Sequence, residues 1–331
     1  MGLHFLKPYI AGLRALSYSR RLIVVGLLLF TLITFGVAWR FSAPPAFPTD
    51  ALITIPADSS ARDFARILKS DGVIRSSSAF LILARISGLD HSLDPGTYVF
   101  KEPMNVTGIV SYIGHGRHGI SPARVTLTEG MTTSDIAITL DENVPGFDKP
   151  AFLTAASTSE GYLFPDTYFF MPGESPDDVV VRLRSRFSEQ IATITPEILA
   201  SPHSFSDVVI MASILEREAK TLTDKRMVAG ILWNRIRKGL PLQVDAAFGY
   251  IHDENGYTPT ALDLQSDSPY NTYRNKGLPP GPISNPGLES LLAAVTPTKT
   301  DDLYYLTGRD GLMHYAKTFE EHKKNRALYL D

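Results

Sequence analysis

Glu216 is the first acid after a long apolar run in Ser206–Lys220 (SDVVIMASILEREAK), and it is the side chain in this sequence best placed for proton chemistry. A carboxylate that loses water without a partner costs free energy. One emerging from VVIMASIL must therefore pair, reach a surface or exchange protons. The spacing predicts a helix capped by Ser206, with Asp207 favourable in the first turn. Val208, Met211, Ile214 and Leu215 then share a core face. Glu216 falls on the row of Val209, Ala212 and Ser213, whose small side chains would let a ligand approach. Taken alone, this helix favours the plainer reading of an i,i+4 ion pair with Lys220, worth about 0.3 kcal/mol. Glu218 carries the same ambiguity and points to the other side.

Other chemistries are excluded or unsupported. The chain has no cysteine, which removes disulfides, thiolate nucleophiles and Cys-based zinc sites. HExxH, Gly-x-Ser-x-Gly and P-loop patterns are absent from the sequence, so neither a metal nor a cofactor is expected. Gly114–Gly119 (GHGRHG) offers two histidines without a third ligand nearby and is expected to be a flexible turn.

The elements that must position Glu216 follow from periodicity. A second amphipathic helix is predicted over Asp224–Lys238, beginning after Thr223 and stopping at Gly239, with Asn234 and Arg235 on its polar face. In Leu240–Asp245 (LPLQVD), Gln243 and Asp245 alternate with apolar neighbours on an expected strand. Tyr270–Tyr273 (YNTY) and Leu278–Pro286 (LPPGPISNP) read as loops whose Asn, Tyr and Ser suit a hydroxyl-rich ligand, or as plain connectors. Ser175–Ile191 reads as a surface helix without chemistry. A hairpin, Leu303–Leu306 with Leu312–Ala316, and a helix Phe319–Tyr329 close the chain.

Upstream, Ile53–Leu68 aligns with Val125–Leu140: a strand, a polar turn, then a Ser- or Thr-capped helix. Gly96–Phe100 (GTYVF) likewise answers Gly161–Phe170 (GYLFPDTYFF). Two related βααβ units are the simplest account, and together they could present one face to an extended polymer.

Leu22–Trp39 is free of charge and bracketed by Arg20–Arg21 and Arg40. It comes close to spanning a hydrocarbon core of about 30 Å, and Trp39 suits the interface. An uncleaved membrane helix is expected, with the N-terminus cytoplasmic because positive charge precedes it. FSAPPAFPTD follows as a stiff spacer. Residues 1–49 hold Lys7, Arg14, Arg20, Arg21 and Arg40 and no acid, against a formal charge of −3 for the whole chain. The remainder is strongly acidic, which argues against nucleic acid as a partner.

The ordered segments EGYLFPDTY, SILERE, LPLQVD, YNTY, GLPPGPISNPG and the terminal hairpin, following an anchor, resemble the endolytic murein transglycosylase family (MltG/YceG-like) over nearly everything after the anchor. The resemblance implies an α+β fold: an N-terminal transmembrane helix, LysM-like βααβ modules and a mixed α+β catalytic domain. It divides the chain into a cytoplasmic tail at 1–21, a transmembrane helix at 22–39 and a linker at 40–50. A LysM-like module at 51–120 and a catalytic domain at 121–331, which includes the second βα unit at 125–170, complete it. It also implies Glu216 as the catalytic residue, with Gln243, Asp245, Asn271, Tyr273 and Glu218 lining the substrate. Two departures bear on local contacts: Ala219 stands where many relatives carry Thr, and Ala246–Ala247 where many carry Pro-Thr.

The activity so implied is lytic cleavage of the MurNAc–GlcNAc bond of peptidoglycan within nascent strands. It occurs on the periplasmic side of the inner membrane, with peptidoglycan synthases as possible partners. A lytic transglycosylase can manage with one carboxylate, because the substrate's own C6 hydroxyl attacks. Apolar surroundings would raise the proton affinity of Glu216 as a general acid requires. Gln243 and Asn271 would hold sugar or N-acetyl groups, and Tyr273 would offer a stacking face. The rival readings are a non-catalytic wall-binding anchor, and a hydrolase using Glu216 with Asp245 or Glu218 as base.

Overall fold

The computed structural model describes residues 18–119, 121–254 and 256–330. Most of the expected cytoplasmic tail, with Lys7 and Arg14, therefore lies outside the described residues. The fold is mixed α+β and divides into two compact units, Met1–Ser121 and Pro122–Asp331.

Helix α1, Tyr18–Phe41, opens the first unit. Its segment Leu22–Phe41 has a mean hydropathy of 2.5 and none of it is buried, so it is long and apolar enough to cross a membrane. Strand β1 (Ile53–Ile55), helices α2 (Ala61–Ser70) and α3 (Ser77–Ile86), strand β2 (Gly96–Tyr98) and helix α4 (Val106–Gly114) follow. The two strands pair antiparallel with Ile53 opposite Tyr98. Phe64, Leu68, Phe80, Tyr98 and Phe100 fill the core beneath them.

The second unit opens with the same sequence of elements: β3 (Ala123–Thr126), α5 (Thr133–Asn143), α6 (Lys149–Ala155), β4 (Thr167–Phe170) and α7 (Pro176–Ala192). Here Val125 faces Tyr168 across the antiparallel pair. The repeat extends to individual bonds. Ser60 and Thr132 each close a capping box with an acid at N3, Asp63 and Asp135. Thr54 meets Thr97 across one pair at 3.0 Å, and Thr126 meets Thr167 across the other at 2.9 Å. Tyr98 and Tyr168 each donate their hydroxyl to the carbonyl four residues back, Asp94 and Phe164. Two βααβ units are thus present, as the internal similarity predicts.

The GHGRHG segment is not a loose turn. His118 bonds the Thr97 carbonyl and the Asp94 carboxylate, both at 3.1 Å, and stacks on Tyr98 at 4.5 Å. Its backbone carbonyl accepts from Val99 at 2.8 Å, which fastens the segment to the end of β2.

The rest of the second unit is built on α9 (Phe205–Glu218), preceded by the short helix α8 (Thr195–Ala200). Ser204, not Ser206, caps α9 by accepting from the Asp207 amide at 3.1 Å, and Lys220 lies beyond its end. Every residue from Val208 to Leu215 is buried, including the row of Val209, Ala212 and Ser213 expected to admit a ligand. A helix without an exposed stripe is enclosed on all sides. Helices α10 (Leu222–Arg237) and α12 (Leu288–Val295) pack on it, with α11 (Ala246–His252) touching its C-terminal end. Thr221 rather than Thr223 caps α10.

The proline-rich loop after Leu278 closes the remaining side of α9. Ser213 Oγ accepts from the Ile283 amide at 3.0 Å, while Ser284 Oγ donates to the Ser213 carbonyl at 3.0 Å. Ile283, Ser284 and Asn285 are all buried, so this part of the loop is architecture and not a ligand surface. Strands β5 (Tyr304–Thr307) and β6 (Met313–Ala316) form the terminal hairpin, with Tyr305 opposite Tyr315, and α13 (Phe319–Tyr329) follows.

Candidate active site

Helix α9 delivers two carboxylates, two residues apart and therefore rotated by about 200° about the axis. They end in different environments. Glu216 is ion-paired at the edge of a cavity of about 530 Å³: its side chain is 6% exposed, and Lys225 of α10, itself 3% exposed, donates to Oε1 at 2.8 Å. Oε2 accepts from the Gly287 amide at 2.8 Å, at the N-terminus of α12. A carboxylate at that position also meets the favourable end of the helix dipole.

Glu216 thus ties α9, α10 and α12 together, in place of the expected pair with Lys220. Its head group sits among charges and amide donors, not in the apolar surroundings expected from the run that precedes it. Glu129 approaches from the segment after β3, and its carboxylate occupies the space that a Cβ on residue 287 would take. Burial, then the charge of Glu216, holds the Glu129 carboxyl above the ordinary carboxylate range, while Lys225 pulls it down.

Glu218 faces the other way, into a cleft of about 290 Å³ lined by Arg217, Asp245, Ala246, Gly249, Gly256 and Tyr257. The Tyr305 hydroxyl donates to its Oε2 at 2.8 Å. Burial pushes its carboxyl up to about 7, and the charge of Asp245 pushes the same way. The hydroxyl of Tyr305 and the amide of Ala246 act against that rise because each stabilises the charged form. A carboxyl that keeps its proton near neutrality beside a solvent-facing cleft is what general acid catalysis requires.

The other predicted site residues divide between this cleft and its supports. Asp245 is exposed in the cleft, and its Oδ1 accepts from the Tyr273 hydroxyl at 2.6 Å. The Tyr273 ring lies 6.0 Å from that of Phe248. Gln243 is not on a strand: its φ of 55° is left-handed, and its amide donates to the Thr272 carbonyl at 3.0 Å. Its side-chain Oε1 accepts from Arg235 Nη2. The LPLQVD and YNTY segments are thereby laid against each other, with Thr272 Oγ1 accepting from the Val244 amide at 2.9 Å.

Asn271 is fully buried and cannot hold a sugar group as expected. Its Nδ2 donates to the carbonyls of Asp263, Leu264 and Ser266, and its Oδ1 accepts from the Tyr273 amide. Its part is to shape the loop that presents Tyr273.

Arg235, expected on a polar helix face, is 6% exposed and central to the architecture. It donates to the Pro241 and Leu303 carbonyls, each at 2.9 Å, as well as to Gln243. Asn234 is buried beside it and donates to the Thr300 carbonyl at 2.7 Å. Among the described residues no group of three or more His, Asp or Glu side chains has the geometry to hold a metal ion.

Residues 53–327 match the family described as YceG-like. The chain belongs to the YceG-like family. It is 32% identical to the endolytic murein transglycosylase of Bacillus subtilis, over 85% of each chain. It is 23% identical to the endolytic murein transglycosylase of Streptococcus pneumoniae serotype 2, over 95% of this chain and 66% of the other. The crystal structure of a yceG-like protein from Listeria monocytogenes superposes with a TM-score of 0.57 at 31% identity, covering 83% of this chain and 98% of that one.

Set in the YceG-like family, the site has parts that local sequence does not mark. Tyr305 is one of five tyrosines and phenylalanines in the terminal hairpin and helix, and nothing at its own position singles it out. Glu129 stands in a turn, before the second capping box. Arg235 alone carried a signal, since an arginine whose helical neighbours Ile231, Leu232 and Ile236 are apolar lies at the edge of a core-facing stripe.

Proposed function

We propose that this chain is a membrane-anchored endolytic lytic transglycosylase of peptidoglycan, with Glu218 and not Glu216 as its acid and base. The observation that carries the assignment is the contrast between the two. Glu218 opens on a cleft with its proton held to about 7, whereas both oxygens of Glu216 are engaged, one by the Lys225 ammonium and one by the Gly287 amide. Protonated Glu218 donates to the leaving glycosidic oxygen as the bond to the MurNAc C1 breaks. The same carboxylate then takes the C6 hydroxyl proton as that oxygen bonds C1, leaving a 1,6-anhydro-MurNAc end. Asp245 opposes the positive charge that develops on the sugar ring, and Tyr273 holds Asp245 in place. Gln243 and the Tyr273 ring border the strand.

In this reading α1 lies in the inner membrane with its N-terminus cytoplasmic and both units periplasmic. Residues 51–120 act as a LysM-like glycan-holding module ahead of the catalytic domain at 121–331, and peptidoglycan synthases that supply nascent strands are the natural neighbours.

A second reading is favoured by one observation: Asp245 shares the cleft with Glu218. With Asp245 as base or nucleophile, water would replace the C6 hydroxyl and the enzyme would be a muramidase. Mass spectrometry of products from the detergent-solubilised chain separates the two. Anhydro ends are expected, and reducing ends heavier by one water, about 18 mass units, would establish the hydrolase instead. Absence of any cleavage would leave a wall-binding anchor.

The pH dependence follows from the same carboxyl. The acid must start protonated, and its protonated fraction falls as pH rises through about 7. On the alkaline side kcat/KM is therefore expected to fall about tenfold per pH unit. A profile flat from pH 6 to pH 9 would remove Glu218 as the acid.

A further inference from the structure

We infer that Tyr305, on the terminal hairpin, is the positioning residue of the catalytic acid. Its hydroxyl bond to Glu218 Oε2 fixes the carboxyl so that the transferable proton sits on Oε1. The inference rests on the reading of Glu218 as the acid. When an O–H donates to Oε2, that atom is the carbonyl oxygen of the protonated acid, which leaves the proton to the other oxygen. At 2.8 Å the bond is well made. Burial and the nearby Glu218 charge push the Tyr305 hydroxyl far above its ordinary range, so it remains a donor throughout the working pH.

The hairpin is fastened in a way that suits this task. Tyr315, opposite Tyr305, donates to Asp224 Oδ1 at 2.7 Å, which pins β6 to the first turn of α10. Arg235, from the last turn of α10, holds the Leu303 carbonyl at 2.9 Å immediately before β5. The hairpin carrying Tyr305 is therefore tied to the first and last turns of one helix, and that helix packs on α9, which carries Glu218. Support of this kind is what holds a reacting group to productive geometry. Among the described residues the charged and titratable groups around Glu218 come from several elements. They are Asp245 ahead of α11, Tyr273 behind Asp245, Tyr305 on β5, Arg235 on α10, Arg217 on its own helix and Tyr257 on the cleft wall.

The test compares Tyr305→Phe, Asp245→Asn and Glu218→Gln in the full chain, by kcat, KM, pH profile and melting temperature. Tyr305→Phe keeps the ring in its packing and removes only the donor. We expect kcat to fall about tenfold with KM unchanged. The alkaline limb should move to higher pH, because a bond favouring the charged form has gone. Asp245→Asn should move the same limb to lower pH, because a neighbouring negative charge has gone. If Tyr305→Phe only lowers the melting temperature, leaving kcat and the limb in place, Tyr305 is structural and the inference fails. If Glu218→Gln retains full activity, the underlying assignment fails instead. The two failures are thus told apart.

Discussion

Glu218→Gln is expected to abolish release of anhydro-ended fragments, lowering the rate by a factor of about 10² to 10⁴, the range that a positioned acid and base supplies. The fold should survive. The amide oxygen can still accept from the Tyr305 hydroxyl. A carboxyl held to about 7 is half neutral at neutral pH, so replacing it with a neutral isostere removes little native charge pairing. Far-UV circular dichroism and melting temperature should match the unchanged protein, while mass spectrometry of a digest shows no anhydro ends. Retained activity would return attention to Glu216 or to Asp245.

Glu216→Gln should behave in the opposite manner, costing stability and not chemistry. It leaves the Lys225 ammonium buried at 3% exposure without its countercharge. Breaking one side of a buried pair costs about 3 kcal/mol. For a unit of this size that lowers the melting temperature by roughly 6 to 12 °C. Glu129 stands close enough to feel Lys225 and should soften the loss. Adding Lys225→Met to Glu216→Gln removes the stranded charge, and an apolar replacement of the pair is expected to restore most of the stability. The double variant should cleave peptidoglycan at a rate close to the unchanged protein at low temperature. If it folds and is inactive, Glu216 has a part in the chemistry after all.

Much of the fold is legible along the chain because it depends on short-range pattern. The capping boxes of Ser60–Asp63 and Thr132–Asp135 and the tyrosines of β2 and β4 repeat in the sequence and recur bond for bond in space. The apolar stretch from Leu22 needs only composition and length to be recognised. Gln243 is the instructive failure. Alternation with Leu242 and Val244 reads as a strand, yet its partner is the loop at Thr272, and the left-handed backbone that lets it meet that loop has no local signature. Asn271 fails for a related reason: an amide is equally suited to a sugar and to three carbonyls of its own loop, and only the closed loop decides.

By itself, then, the sequence pointed to the C-terminal end of the buried helix α9 for the proposed chemistry, where the apolar run stops and acids begin. It also determined that an acidic body follows a long apolar helix and contains two related βααβ units. The proposal of Glu218 over Glu216 rests only on three dimensions. Two glutamates of identical chemistry, two residues apart, are turned by about 200° toward different neighbours. One meets a lysine and a helix N-terminus and becomes a tie between helices. The other meets a tyrosine from the distant terminal hairpin and a second carboxylate across a cleft, and burial there keeps its proton ready for transfer.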